Sequence, residues 1–146
     1  MNKSEHKVVL ITGACGGIGR ATVQLFTTNG WIVLGVDRSP FGEGFPATGR
    51  FYQVDITDPQ AVETIFKSIG KFSPVLDAVV NNAAVQVAKP LIDTTVEEWD
   101  AVMASNLRPA FLIAKLVYPF LKKGGGGAIV NVSSVHAVQT SANIAC

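Results

Sequence analysis

The chain has 146 residues and a mass of 15.4 kDa, which fits one compact domain and is too small for two ordinary ones. Hydrophobic residues make up 48% of the sequence and charged residues 16%, a composition that excludes a disordered chain, a coiled coil and a collagen. Lysine and arginine number 12 and the acidic residues 11, so a net charge of +1 offers no argument for binding to nucleic acid or to a membrane surface.

The cysteines and histidines form neither a metal motif nor a disulfide framework. Cys15, Cys146, His6 and His136 are too scattered in the sequence for either, so we expect no metal. The sparse cysteines favour a reducing cytoplasm. The most apolar helical stretch, residues 111–121, is short and contains a lysine, so we expect no membrane span.

Strand-like and helix-like segments alternate from the start of the chain. Residues 7–11 (Lys-Val-Val-Leu-Ile) form a continuous apolar run, which predicts a strand covered on both faces. A glycine-rich turn and a helix follow, and Asn29-Gly30 should end that helix because glycine tolerates the left-handed conformation beyond a helix end. Residues 31–36 predict the second strand, which ends at Asp37.

The segment 39–49 departs from the alternation. We expect a loop here in place of a crossover helix, because the segment contains five helix breakers, namely Pro40, Gly42, Gly44, Pro46 and Gly49. Residues 51–54 then predict the third strand.

The second helix should begin at Asp58 and Pro59, which suit the N-cap and the first turn. Gly70 should end it, after an apolar stripe at helical spacing formed by Val62, Ile65, Phe66 and Ile69. Residues 76–80 predict the fourth strand.

A long helix is expected next, beginning near Val96 because Thr95 and Glu98 have the spacing of a capping box. Its apolar, inward stripe ends with the amide of Asn106, and Pro109 should kink the helix just after that residue.

The glycines at 124–127 close this helix, and residues 128–132 predict a fifth strand that ends on Ser133-Ser134. Residues 135–146 have no clear period. Five strands alternating with helices predict one α/β domain over residues 1–146 with a parallel sheet.

The turn after the first strand, Thr12-Gly13-Ala14-Cys15-Gly16-Gly17-Ile18-Gly19, has the composition of a pyrophosphate-binding site. Its glycines at 13, 17 and 19 make a tight turn, let the backbone approach phosphates, and direct free N–H groups and the helix dipole at negative charge. A tight structural turn would need similar glycines, so both interpretations stay open for this motif alone.

Asp37 favours a dinucleotide. A carboxylate at the end of the second strand can accept hydrogen bonds from both ribose hydroxyls of an adenosine and repel a 2′-phosphate. Arg38 could bind a phosphate, but no basic residue stands at Cys15 to assist it, so we predict NAD in preference to NADP. Asp55 falls where an adenine ring would lie, although a plain turn or capping role explains it almost equally well.

Taken together, these motifs resemble the N-terminal part of a short-chain dehydrogenase/reductase over practically the whole chain. The turn matches that family's cofactor motif, and Asn81-Asn82-Ala83-Ala84 resembles its Asn-Asn-Ala-Gly element with Ala84 in place of the glycine. Asn106 matches its helix asparagine, and the run Ile-Val-Asn-Val-Ser-Ser over 129–134 places its catalytic serine at Ser134. The resemblance implies a Rossmann-type, doubly wound parallel sheet of strand order 3-2-1-4-5, C-terminally incomplete.

The resemblance also implies the chemistry, a hydride transfer between NAD and an alcohol or carbonyl substrate. Ser134 would hydrogen-bond the substrate oxygen, and Asn106 would hold a water in a proton relay, its buried amide bonded to that water and to local backbone. An ordinary strand-end hydroxyl and a helix-kink amide are the structural alternatives for these two residues. Asn81 would tie the central strands together. The implied cofactor-binding residues are Gly13, Cys15, Gly17, Ile18, Gly19, Asp37, Arg38, Asp55, Ile56, Asn82, Ala83 and Ala84.

The family's general acid/base is a tyrosine in a Tyr-x-x-x-Lys motif that follows the serine by about the length of residues 135–146. Tyr52 and Tyr118 both precede Ser134. An unassisted tyrosine titrates near pH ~10, so the neighbouring lysine matters. We therefore expect little turnover from the 146-residue chain, an exposed apolar fifth strand that favours self-association, and a homo-oligomer in the complete protein.

Two other functions stay open at this point. One is a non-catalytic dinucleotide-binding or interaction module, which needs only the first βαβ unit. The other is a doubly wound domain for a different phosphate ligand, which would make the matches at Asn106 and Ser134 coincidental.

Overall fold

A computed structural model describes residues 6–144, in which five parallel strands form one sheet with helices on both faces. The strands are β1 (Val8–Thr12), β2 (Ile32–Asp37), β3 (Arg50–Gln53), β4 (Ala78–Asn81) and β5 (Ala128–Asn131). The helices are α1 (Gly17–Thr28), α2 (Pro59–Phe72), α3 (Val96–Asn106) and α4 (Arg108–Lys123), with short 3-10 turns at Leu91–Asp93 and Val135–Ala137. The strand order β3-β2-β1-β4-β5 confirms the predicted topology, and the strand ends differ from the predicted ones by at most two residues.

The core has two layers because side chains alternate between the faces of a strand. All of β1 is buried. Val8 and Leu10 pack with α2 and α4 on one face, whereas Val9 and Ile11 pack with α1 on the other. A strand covered on both faces reads as the continuous apolar run seen in the sequence.

The loop after β2 takes the place of a helix, as predicted. Phe41, Phe45 and Phe51 form an aromatic cluster with ring centroids 4.9 to 5.6 Å apart. The cluster lies against Gly35 in β2, where an added Cβ would come 2.6 Å from the Phe45 ring. A glycine in the strand therefore leaves the space that this aromatic cover needs.

The predicted end of α2 at Gly70 is wrong, since the helix continues to Phe72. A Cβ at Gly70 would lie 3.5 Å from the Phe120 ring of α4, which is ordinary contact distance. The glycine thus lies inside the helix where α4 packs against it.

The predicted long helix is two helices, α3 and α4, joined at Leu107. Thr95 and Glu98 form the expected capping box. Pro109 has no N–H to donate one turn back, and this interrupts the helix more completely than the expected kink. The expected inward position of Asn106 is also wrong: it is exposed at the end of α3.

At one edge of the sheet, β5 is exposed along its length, with Ile129 40% and Val130 50% accessible. This matches the expected apolar edge strand. Within residues 6–144, no helix combines the length and the apolar content needed to cross a membrane.

Two glycine-to-alanine substitutions should have opposite effects on stability. Gly70→Ala should raise the free energy of unfolding by about 0.5–1 kcal/mol, because alanine favours a helix interior and has room there. Gly30→Ala should lower it by about 1–2 kcal/mol, because Gly30 follows α1 with φ of 77°. Urea unfolding of both variants measures the pair, and a destabilised Gly70→Ala would contradict the packing described for α2.

Candidate functional site

A cleft of about 640 Å³ opens where the carboxyl ends of β1, β2 and β4 meet the N-terminus of α1. All twelve cofactor-binding residues expected from the sequence line this one cleft. The lining also includes residues that the sequence analysis did not assign to a site, namely Gly16, Arg20, Val36, Ser39, Pro40, Val54, Thr57, Val85 and Ser105. Ligands of open α/β sheets bind at this position, outside the carboxyl ends of the strands.

The glycine turn brings α1 directly above the end of β1. Gly13 has φ of 65°, which favours glycine. A Cβ at Gly19 would lie 1.9 Å from the carbonyl oxygen of Gly13, so no other residue fits at this approach. At Gly17, by contrast, an added Cβ would meet nothing within 4 Å apart from its chain neighbours and the backbone of its own helix. Gly17 therefore leaves open space in the cleft, whereas Gly13 and Gly19 serve the packing of the turn.

The N-terminus of α1 is suited to an anion. Its N-cap is Gly16, which offers no side-chain hydrogen bond, and no acidic residue stands in the first turn. The first N–H groups of a helix have no partner within it, and the helix dipole places partial positive charge there. Neither a side chain nor an acidic charge compensates this end, so the observed turn fits a phosphate-bearing ligand.

Thr12 fastens the turn to the end of β4. Its buried hydroxyl oxygen accepts hydrogen bonds from the backbone N–H groups of Asn82 (3.0 Å) and Ala83 (3.1 Å). The Asn82 side-chain amide donates to the carbonyl oxygens of Thr12 (3.1 Å) and Gly13 (3.2 Å). Asn82 is thereby a structural link within the cleft wall. Thr12 is the first residue of the turn motif in the sequence, but that motif did not indicate its bonds to the segment after β4.

Asp37 links the turn to the loop after β2. One carboxylate oxygen accepts a hydrogen bond from the Cys15 N–H (2.9 Å), and the other accepts one from the Ser39 N–H (2.9 Å). A carboxylate has about four acceptor sites, so two of these bonds leave capacity for a ligand. The Cys15 thiol donates to the Ser39 carbonyl (3.3 Å). Its pKa is raised mainly by burial and secondly by the charge of Asp37.

Asp55 caps its own turn, in agreement with the second interpretation of this residue. Its carboxylate accepts a hydrogen bond from the Thr57 N–H (2.9 Å). Hydrogen bonding by Thr57 lowers the pKa of Asp55, and the charge of Arg38 contributes in the same direction. Asp55 and Arg38 both line the cleft, where they form a charged edge next to the buried Ile56.

Asn106 lies outside the cleft lining. Its side-chain oxygen accepts from the Val85 N–H and its amide donates to the Val85 carbonyl, both at 2.9 Å. The partner is backbone 21 residues away, not the local backbone that we expected. Asn106 thus holds α3 against the segment after β4, while the preceding Ser105 is buried and lines the cleft.

Ser134 is also outside the cleft lining, in an exposed turn after β5. Its hydroxyl oxygen accepts a hydrogen bond from the His136 N–H (3.2 Å), which caps the 3-10 turn Val135–Ala137. Nearby, the Asn81 amide donates to the Asn131 side-chain oxygen (2.8 Å) and joins β4 to β5 as expected. In residues 6–144, the cofactor-binding candidates line one cleft. Neither catalytic candidate is among the lining residues, although Asn106 bonds the lining residue Val85.

A Tyr-x-x-x-Lys spacing does occur before Ser134, at Tyr118 and Lys122. Both residues are on α4, and Tyr118 is 62% accessible. Neither lines the cleft. The spacing alone therefore does not place these two side chains at the candidate site.

Sequence comparisons identify relatives over most of the chain. Residues 7–146 match the family model described as short chain dehydrogenase. A 3-oxoacyl-[acyl-carrier-protein] reductase of Thermotoga maritima is 36% identical over 139 residues, covering 90% of this chain and 56% of the relative. An NAD-dependent glycerol dehydrogenase of Listeria innocua is 34% identical over 137 residues, with coverages of 90% and 54%. The chain thus spans about half the length of the curated relatives it matches.

Solved structures agree with the sequence relatives. A short chain dehydrogenase of Leptospira borgpetersenii with bound NAD⁺ superposes with a TM-score of 0.86 at 29% identity, covering 93% of this chain and 54% of that one. ElxO with NADP bound gives a TM-score of 0.86 at 28% identity, with coverages of 95% and 60%.

Alanine at two glycines of the turn should separate folding from binding. Gly17→Ala should keep the fold, because the added methyl group meets open space at the first turn of a helix. It should weaken binding of a phosphate ligand about tenfold or more, because the methyl group fills the space above the helix N-terminus. Gly19→Ala should destabilise the fold itself by several kcal/mol, because it collides with the Gly13 carbonyl. Thermal unfolding together with calorimetric titration of NAD⁺ distinguishes the two, and unchanged affinity in Gly17→Ala would contradict the assignment of the turn.

Proposed function

The chain belongs to the short-chain dehydrogenase/reductase family, and from this premise we propose that it is the dinucleotide-binding part of an NAD-dependent oxidoreductase acting on an alcohol or carbonyl substrate. The observation that carries the proposal is the cleft. It combines an uncapped helix N-terminus at one point with the Asp37 carboxylate at another, on the side of the turn that faces β2.

The lining residues support an orientation for the dinucleotide. The N–H groups at Gly17, Ile18 and Gly19 would bind the pyrophosphate, since no cap competes for them. Asp37 would accept the ribose hydroxyls of the adenosine, and Asp55 and Ile56 would lie near the adenine. Ala83 and Ala84 would line the cleft beside the cofactor, on the way to its nicotinamide end. The bound nicotinamide supplies the hydride acceptor or donor of the reaction.

Charge favours NAD over NADP in this proposal. Residues 13–19 of the turn carry no charged side chain, so the turn offers no cation for a 2′-phosphate. The Asp37 carboxylate would repel that phosphate at short range. The cleft lining contains two cations. Arg20 donates to the carbonyl oxygens of Cys15 and Phe41, and Arg38, which follows Asp37, is the one that could favour NADP. The matched relatives include an NAD-dependent enzyme, and the similar structures hold NAD⁺ or NADP.

The substrate class follows from the relatives alone. One is named a reductase of 3-oxoacyl groups and another a dehydrogenase of glycerol, which are a carbonyl and an alcohol substrate. In the proposed reaction Ser134 would form a hydrogen bond with the substrate oxygen. Asn106, whose side chain bonds the backbone of Val85, would hold a water in a proton relay.

A second candidate, a non-catalytic dinucleotide-binding module, is favoured by the placement of the polar groups. Ser134 and Asn106 lie outside the cleft lining, and Tyr118 is exposed on α4. Within residues 6–144, the residues proposed to bind the cofactor line one cleft, and neither a tyrosine nor a lysine is among the lining residues.

The 146-residue chain should therefore bind the cofactor but show little turnover of substrate. It should bind NADH with a 1:1 stoichiometry and show turnover at least about a thousandfold below a typical kcat of ~10 s⁻¹ on a panel of alcohols and ketones. Fluorescence titration of NADH and absorbance at the NADH band measure the two properties. Turnover at ordinary enzyme rates would show that the proton-handling groups are present after all. A chain that binds no dinucleotide at millimolar concentration would overturn the proposed function.

Asp37→Asn should change the preference between the two cofactors. Loss of the charge should weaken NAD⁺ binding about tenfold and reduce the penalty against NADP⁺, so the ratio of the two dissociation constants should move by about ten- to a hundredfold. The matched control is Asp100→Asn, which removes an equal charge from the exposed surface of α3. A variant that loses affinity for both cofactors equally would indicate a distorted turn and would contradict the role given to the carboxylate.

A further inference from the structure

The glycine turn and the loop after β2 are joined by side chains as well as by backbone. Asp37 bonds the N–H groups of Cys15 and Ser39, and the Cys15 thiol donates to the Ser39 carbonyl. These bonds connect the part of the cleft next to the helix N-terminus with the part formed by residues 38–40.

Arg20, in the first two turns of α1, also connects the glycine turn to the loop after β2. Its Nε donates to the Cys15 carbonyl at 3.1 Å, and its Nη2 donates to the Phe41 carbonyl at 2.6 Å. The guanidinium also stacks on the Phe41 ring, with 4.2 Å between its carbon and the ring centroid. One planar cation thus satisfies two carbonyl oxygens, on two different segments, and covers an aromatic ring.

The Phe41 end of this connection is anchored. Phe41 is 8% accessible and belongs to the aromatic cluster that covers Gly35. Residues 38–40 span the short distance between Asp37, fixed by β2, and Phe41, fixed by Arg20. They form this wall of the cleft without a helix to support them.

We propose that Arg20 is a positioning residue for the adenosine end of the dinucleotide: through its bond to Phe41 it clamps the wall formed by residues 38–40 to the glycine turn and so sets cofactor affinity. The inference rests on the proposed function and deepens it. Lysine could reach one of the two carbonyls, but it has neither the forked donors nor the flat surface that stacks on Phe41. The glycines at 13, 17 and 19 of the turn do not by themselves require an arginine at position 20.

The test compares Arg20→Met and Arg20→Lys with the parent, all carrying Cys146→Ser so that Cys15 is the one thiol. Two quantities are measured: the dissociation constants of NAD⁺ and ADP-ribose by calorimetry, and the rate at which Cys15 reacts with a disulfide reagent in the absence of ligand. Arg20→Met should raise both dissociation constants about tenfold, since two charge-assisted bonds that shape the wall are lost. The charge of Arg20 lowers the pKa of the Cys15 thiol, so its loss alone would slow the reaction, and the rates are therefore compared per thiolate from a pH series. On that scale Cys15 should react several times faster, because the wall over its thiol is released.

Arg20→Lys should fall between the parent and Arg20→Met in both measurements. The matched control is Arg50→Met, since Arg50 stacks on Phe72 with its guanidinium carbon 4.9 Å from the ring centroid, outside the cleft lining. This control should change neither quantity by more than about twofold.

Three results would overturn the inference: unchanged affinity in Arg20→Met, weaker affinity with unchanged Cys15 reactivity, or equal acceleration of Cys15 in Arg50→Met. The second result would mean that Arg20 contacts the cofactor directly, and the third that any lost stack loosens the whole domain. A parent that binds neither ligand would refute the proposed function, while the thiol rates would still decide whether Arg20 clamps the wall.

Discussion

The close approach of Gly19 to the carbonyl oxygen of Gly13 is the constraint on which the cleft depends. A side chain at Gly19 would place its first carbon 1.9 Å from that oxygen. Because the chain turns this tightly, α1 begins at once above β1 and directs its uncapped N-terminus over the strand ends. Thr12 then holds the segment after β4 at the same edge through its bonds to Asn82 and Ala83. One packing contact thereby fixes the position of the helix end that we propose binds a phosphate.

The wall of the cleft next to the glycine turn is held by hydrogen bonds of side chains, because no helix connects β2 to β3. The connection from β2 to β3 has no helix, and a cluster of three phenylalanines covers the sheet there. Such a connection needs other restraints, which Asp37 and Arg20 supply by binding backbone groups of both the turn and the loop. The same carboxylate that stabilises the wall is the group we assign to the ribose, so folding and recognition share one residue.

The motifs of the sequence, together with the family that they resemble, predicted much of this arrangement. The strand order implied by that resemblance is confirmed. The twelve cofactor-binding candidates line one cleft, and their binding role stays a prediction. The errors concern partners distant in sequence. The expected helix end at Gly70 is wrong because the side chain that packs there, Phe120, is 50 residues away in the sequence. The expected inward position of Asn106 is wrong because its bonds to Val85 leave no periodic trace in the sequence. Arg20 was missed because its two carbonyl acceptors are defined only by the folded loop.

The central claim is that the turn, the Asp37 end and the segment after β4 bind one dinucleotide together. The most direct measurement is a titration of the ¹⁵N-labelled chain with NAD⁺, followed by amide chemical shifts. The account predicts saturable shifts concentrated at Gly17, Ile18 and Gly19, at Ser39, and at Ala83 and Ala84, with α4 unaffected. Shifts confined to α4 and β5, or none at millimolar NAD⁺, would contradict it.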